Sequence, residues 1–367
     1  MHAEFDALEC NRTWSLVPSS HTQNIIGNKW VYHTKYKLDG SIDHLKARLV
    51  AKGFHQRPGI NYIETFSQVI KPATLHLVLS LAIFHTWSLR QLDINNAFLQ
   101  GHLKEDIYMD QPSGFINPSF PNHVCKLNKA IYSLCQASRD WYDELKSYLI
   151  SLSFKATISD PSLFFLNTHS SLILVLVYVD DIIVIDPSPI LGVATLNYHG
   201  FQFQHVSTFF IWFRFQQFSL KDLGSLYYFL GVEVVPCHHG IILSQRKYIL
   251  DILHKANMRD CKPISTQMTT SEPLTLKGGT SYPSPTNYRT FVGALQYLSL
   301  TCSYISFTVN KLSQFMHADN SKIIHVLVVS VLEAIERKST KSCEKVGKKC
   351  KSDPESFRVL EAYIFAL

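Results

Sequence analysis

Paired cysteines are missing from this sequence. Its eight cysteines, at positions 10, 125, 135, 237, 261, 302, 343 and 350, include no Cys-x-x-Cys and no regular metal-ligand spacing. A disulfide framework and a structural zinc site are therefore not indicated, and reduced thiols in an intracellular setting are expected. The first ten residues, Met-His-Ala-Glu-Phe-Asp-Ala-Leu-Glu-Cys, lack the basic-then-apolar pattern of a secretory signal. No internal repeat occurs. A long uninterrupted apolar run is missing too, because residues 171–186 are broken by two adjacent aspartates. A spanning helix needs about 20 apolar residues, and each central Asp opposes insertion by about 2.5–3.5 kcal/mol, so no membrane span is read here. Charged residues make up only 17% and hydrophobic residues 46% of the 367. That is the composition of a globular protein with room for two or three subdomains. The net charge of +6 suits a polyanionic partner without specifying one.

What is present centres on residues 171–186, Ser-Leu-Ile-Leu-Val-Leu-Val-Tyr-Val-Asp-Asp-Ile-Ile-Val-Ile-Asp. The β-branched residues on both sides of the polar break predict two buried strands joined at Asp180-Asp181. An Asp-Asp pair is a poor turn-former, since tight hairpin turns prefer Asn-Gly or Asp-Gly. Neighbouring carboxylates on an apolar hairpin repel each other and resist desolvation, and a divalent cation would relieve both problems. Taken alone, the motif is more commonly a solvated structural turn.

Residues 1–28 predict a short helix and then a loop, with Trp14 and Leu16 as packing anchors. Alternation from Trp30 to Leu38, a turn at Asp39-Gly40 and a second run from Ile42 to Val50 predict a hairpin. Its return strand carries Lys46 and Arg48 on one face and Leu45, Ala47 and Leu49 on the other, so two cations project together and could hold a triphosphate. An ordinary solvated face is the plainer reading of that pair. Residues 73–87 predict a buried helix leading into a strand from Ser88 that ends at Asp93, followed by a short turn or helix through Asn95, Asn96, Ala97, Phe98 and Leu99. That order leaves Asp93 at a sheet edge, a usual place for ligand chemistry, although a lone Asp there is more often a helix N-cap. Residues 127–152 carry the clearest helical period, through Ile131, Leu134, Ala137, Trp141, Leu145, Leu149 and Leu152. Residues 187–219 are rich in aromatics with no steady period. Lys221-Asp-Leu-Gly, then runs from Tyr227 to Val235 and Gly240 to Leu243, predict a second strand-turn-strand unit. Helices follow over Ser244–Ala256, 286–300 and 304–317, the first separated from the others by a loop with four prolines, and after 319 comes a lysine-rich tail.

Together these pieces resemble the reverse transcriptase of copia-type long-terminal-repeat retrotransposons, over residues 4–186 and 220–317. The boxes that carry the likeness are Gly27-Asn-Lys-Trp-Val-Tyr, Lys46-Ala-Arg-Leu-Val-Ala-Lys-Gly-Phe54, Glu64-Thr-Phe-Ser, Gln91-Leu-Asp-Ile-Asn-Asn-Ala-Phe-Leu-Gln-Gly101, Ile107-Tyr-Met, Gln136-Ala-Ser-Arg, Tyr178-Val-Asp-Asp181, Lys221-Asp-Leu-Gly, Phe229-Leu-Gly and Leu243-Ser-Gln-Arg-Lys-Tyr248. The resemblance implies an α+β right-hand polymerase of fingers, palm and partial thumb, its antiparallel palm sheet backed by helices. The corresponding segments are 1–28 (helix and loop), 29–90 (fingers), 91–235 (palm, with 187–219 as an anomalous insert), 236–318 (primer-grip hairpin, thumb and connection helices) and 319–367 (divergent tail).

The same resemblance implies RNA-directed DNA polymerase activity. Asp93, Asp180 and Asp181 match the metal-binding carboxylates of two-metal nucleotidyl transfer, with two Mg²⁺ ions that Mn²⁺ can replace. Lys46 and Arg48 match triphosphate contacts, Phe98 the aromatic beneath the sugar, Gln136 a nucleotide-pocket residue, and Phe229, Leu230 and Gly231 the hairpin that grips the primer. The implied partners are an RNA or DNA template with its primer and deoxynucleoside triphosphates, with no membrane, in a cytoplasmic particle or the nucleus. Ser133 and Cys135 depart from the family's usual Gly and Lys, and Cys302-Ser-Tyr304 from Arg-Pro-Asp. With no ribonuclease H, protease or integrase pattern alongside, a fragment of a longer polyprotein is expected. The rival expectation is a decayed relic that only binds nucleic acid or fails to fold stably.

Overall fold

Where apolar residues run continuously with β-branched side chains, the chain is extended, as in the strands Leu172–Tyr178 and Asp181–Asp186. The computed structural model describes residues 1–36, 41–167, 172–187, 196–198, 201–203, 218–237, 240–256, 285–302 and 305–316. Its contacts divide the chain into two units, Met1–Ser225 and Leu226–Leu367.

The first unit is built on a six-stranded sheet in the order Leu220–Ser225, Ser88–Ile94, Asp181–Asp186, Leu172–Tyr178, Leu163–Asn167 and Lys155–Ala156. Every neighbouring pair in it is antiparallel. The two central strands are buried on both faces, which is why they read as a continuous apolar run and not as an alternation. On one face Val175, Val177, Ile182 and Val184 pack with Trp141, Leu145 and Leu149 of the helix Ala137–Ser151. A four-stranded sheet, Trp14–Pro18, His123–Lys129, His102–Met109 and Ile25–Ile26, and the long hairpin Asn28–Tyr36 with Ile42–Ala51 complete its main strands. Leu8, Ile26, Leu49, Met109 and Leu134 share a core there.

Several expectations need correcting. The helical period assigned to 127–152 belongs to a helix only from Ala137, because residues up to Lys129 form a strand and Ser133 takes a left-handed φ of 66° that ends any helical path. Ile131 and Leu134 are buried nonetheless, so their spacing imitated a helix while recording only burial. The loop expected after the first helix contains the strand Trp14–Pro18, paired with His123–Lys129. The helix Pro72–Phe84 buries Leu75, Val78, Leu79 and Ala82 but exposes Leu77 and Phe84, so only one side of it is core. In the basic hairpin Leu49 is buried whereas Leu45 is exposed.

The second unit, taken by itself, has a meander of Tyr228–Phe229, Val232–Cys237 and Gly240–Ser244. Its helices Arg246–Lys255, Pro285–Leu298 and Ser306–Ser313 meet in a core around Ile252, Val292, Leu295, Ile305 and Leu312. These match the three helices expected from the sequence. The turn at Asp39-Gly40, most of 187–219, the proline-rich loop and the tail after 319 lie outside the described residues. Among the described residues no helix is long and apolar enough to cross a membrane.

Candidate active site

The site is assembled by strand register. Asp181 lies directly opposite Asp93 on the neighbouring strand, and Lys221 lies opposite Asp93 on its other side. Directly opposed residues have Cβ atoms about 4.5–5.5 Å apart and share a face, so two carboxylates and an ammonium form one row across three strands. The Asp180 carbonyl accepts a hydrogen bond from the Ile94 amide at 2.9 Å, which ties the turn to the strand that carries Asp93.

Tyr178 pairs with Asp181, so the two-residue turn is Val179-Asp180, and Asp181 begins the second strand instead of sharing the turn as expected. Tight hairpin turns that match strand twist need a positive φ at a central residue, normally supplied by glycine. Here Val179 adopts φ 52°, a strained conformation for a β-branched residue, of the order of 1–3 kcal/mol. The indole N–H of Trp141, from the helix Ala137–Ser151, donates to the Val179 carbonyl at 2.6 Å. Trp141 is itself buried, edge-on to Phe218 at 5.3 Å.

The three carboxylates feel one another. Burial, then repulsion from Asp180 and Asp93, pushes Asp181 up to about 6 although Gln91 donates to it at 3.2 Å. Burial and the charge of Asp180 also raise Asp93, with Lys221 and Lys46 pulling the other way. The last of these places the Lys46 charge within electrostatic reach of Asp93. Asp180 is exposed. Among the described residues no three His, Cys, Asp or Glu side chains form a ready-made metal cage. The donors are nonetheless all carboxylate oxygens, and Lys221, Lys46 and Gln91 offset the raising of Asp93 and Asp181 only in part. That set fits Mg²⁺, which takes few carboxylates and leaves its other positions to water and phosphate.

Arg48 lies over the ring of Tyr132, 5.0 Å from its centroid, and the same ring meets Phe98 edge-on at 5.3 Å. Tyr132, which the motifs did not single out, thus links the basic hairpin to the turn after Asp93. Glu4 of the first helix is close enough for Lys46 and Arg48 to oppose the rise that burial causes in its pKa. Gln136 is fully buried. It accepts from the Gln56 amide at 3.0 Å and donates to the Asn61 carbonyl at 2.9 Å, so its side chain clamps the loop after the basic hairpin. Gln56 in turn accepts from the Cys135 amide. Phe229, Leu230 and Gly231 belong to the second unit: Phe229 is buried, and Leu230 and Gly231 form a two-residue turn with φ 51° and 68°. The Tyr297 hydroxyl donates to the Leu230 carbonyl. Gln91 and Lys221 open two of the family boxes and Trp141 lies in the helical period, but only strand register and side-chain packing make them partners of the carboxylates and their turn.

Comparison with known proteins adds an independent line. A family model described as reverse transcriptase (RNA-dependent DNA polymerase) matches residues 11–270. The Pol polyproteins of transposons RE1 and RE2 of Arabidopsis thaliana are 47% and 46% identical to this sequence over 329 and 318 residues. Those alignments cover 89% and 86% of this chain but 21% of each relative. The Pol polyprotein of transposon TNT 1-94 of Nicotiana tabacum is 34% identical over 86% of this chain and 23% of its own length. The chain therefore spans about a fifth of the length of these curated relatives.

Proposed function

Because this chain belongs to the reverse transcriptase (RNA-dependent DNA polymerase) family, in the branch carried by copia-type retrotransposon Pol polyproteins, we propose that it extends a primer on an RNA or DNA template. The observation that carries this reading is the pairing of Asp93 with Asp181 beside the Asp180 turn. Burial and mutual repulsion leave that cluster in need of positive charge. Asp93, Asp180 and Asp181 would hold Mg²⁺, which when bound acidifies the primer hydroxyl and steadies the departing pyrophosphate. Mn²⁺ would substitute for it. Lys46 and Arg48 pair with the incoming triphosphate. Phe98 fills the space beneath the sugar, where a ribose 2′-hydroxyl would collide, and Gln136 holds the pocket wall in shape from its buried position. Phe229, Leu230 and Gly231 grip the primer end.

In this reading the six-stranded sheet is the palm, the hairpin of Lys46 and Arg48 belongs to the fingers, and the helices after Ser244 form thumb and connection. The cellular setting is a cytoplasmic particle or the nucleus. A second reading, a relic that binds nucleic acid without polymerising, is favoured by one observation. Ser133, which the family resemblance sets against a glycine, is held at a left-handed φ of 66°, a conformation that strains a non-glycine residue.

Primer extension on an RNA template tests both. With Mg²⁺ present, Asp180→Asn should cut extension by roughly 100-fold or more, because a ligand of the metal clamp is lost. Equal extension by wild type and Asp180→Asn would end the assignment. A wild-type chain that binds template-primer yet extends nothing would favour the relic.

A further inference from the structure

We propose that Trp141 is a positioning residue for the Asp180 carboxylate, an inference that rests on the polymerase reading above. Asp180 is exposed and sits on a two-residue turn whose other member, Val179, is held at φ 52°. A carboxylate so placed is aimed by the peptide groups on either side of it. Both carbonyls of the turn are tied down: Val179 accepts from the Trp141 indole at 2.6 Å, and Asp180 accepts from the Ile94 amide at 2.9 Å. The second bond is part of the sheet. The first comes from a different element and is the contact that opposes the return of Val179 to an ordinary extended or helical conformation.

Trp141 is suited to act as a fixed post. It is 1% exposed, and its ring packs against Phe218 and the core beneath the sheet. Its backbone is closely backed on one side by Gly101, where even a Cβ would come within 2.7 Å of the Trp141 amide nitrogen. The helix Ala137–Ser151 therefore sets, through one N–H, where the turn of the opposite hairpin stands. Loss of that N–H frees the Val179-Asp180 peptide to rotate and carries Asp180 away from Asp93, and a displacement of about 1 Å at a reacting centre can cost about 100-fold in rate.

The test removes the N–H and keeps the ring. Trp141→Phe is one variant. Replacement by benzothienylalanine, which has the shape of tryptophan with sulfur in place of N–H, is the second and guards against a packing defect. Amide hydrogen exchange at Ile94 reads the turn without reference to activity, with Leu174 and Ile185 at the far end of the same hairpin as controls. Both variants should exchange Ile94 about tenfold faster with the controls unchanged, and should lose about tenfold in kcat. Nucleotide KM and template-primer affinity should stay within about twofold of wild type. Unchanged Ile94 exchange in the benzothienyl variant would overturn the proposal, and so would faster exchange with wild-type kcat. If Ile94 exchange rises as expected but the wild-type chain shows no Mg²⁺-dependent extension, the turn contact stands and it is the polymerase reading that fails.

Discussion

Asp181 keeps its proton to about pH 6, well above the ordinary aspartate value of 3.8, because it is partly buried and faces two other carboxylates. A folded-state pKa above the unfolded one means that stability from this group is fully present below about pH 3.8 and is lost as pH rises through about 6. At neutral pH the ionised Asp181 therefore weighs against folding. Discounted for partial exposure, the burden is about 1 kcal/mol. Asp181→Asn should raise the unfolding free energy near pH 7.5 by about that amount, seen as a higher denaturation midpoint, and change it little near pH 4. Added Mg²⁺ should stabilise the wild type more at the higher pH. A midpoint difference independent of pH would show that Asp181 is not titrating where its surroundings imply. Phe98 is the other single residue with a separable consequence. It touches Tyr132 by an edge contact and is only partly buried, so Phe98→Val should spare the fold while relaxing selection against ribonucleotides. Equal ribonucleotide incorporation by both proteins would make Phe98 a packing residue only.

At the scale of elements, the junction between the basic hairpin and the helix Ala137–Ser151 rests on side-chain amides. Gln136 and Gln56 bond each other, and between them they hold the Asn61 carbonyl and the Cys135 amide. Gln136→Leu keeps the volume but leaves Gln56 and the Asn61 carbonyl short of partners in a buried site. The expected loss is about 1–3 kcal/mol, read as a lower urea midpoint with an unchanged slope. Close packing at the same junction explains Gly53: a Cβ there would collide with the Ser133 carbonyl oxygen, so the glycine is needed for close approach and not for a turn. None of this was legible beforehand. Residues 127–152 offered a helical spacing of apolar residues, and spacing reports which residues are buried, not which backbone path buries them. A strand, a left-handed serine and a helix start produced the same pattern that one long helix would.

For the whole molecule, the net charge of +6 and the cations of the basic hairpin predict nucleic-acid binding governed by phosphate contacts. Affinity for template-primer should fall linearly on a plot of log K against log salt, and Lys46→Ala or Arg48→Ala should each lower the slope by about 1. A slope unchanged in both would remove the hairpin from the binding surface. The sequence by itself determined the local features of this protein. These include the apolar runs that become the central strands, the position of Asp93 near a strand end, the hairpin that bears Lys46 and Arg48, and the ordered boxes that mark the family. Each depends on residues close together in the chain, where composition and period act directly on the backbone. Tertiary structure alone decided that Asp181 faces Asp93, that the turn falls at Val179-Asp180, that Trp141 ties it down and that Gln136 is buried. Those outcomes depend on register and packing between segments far apart in sequence. A shift of one residue would send each side chain to the opposite face of the sheet, and no local pattern distinguishes the two registers when both faces are buried.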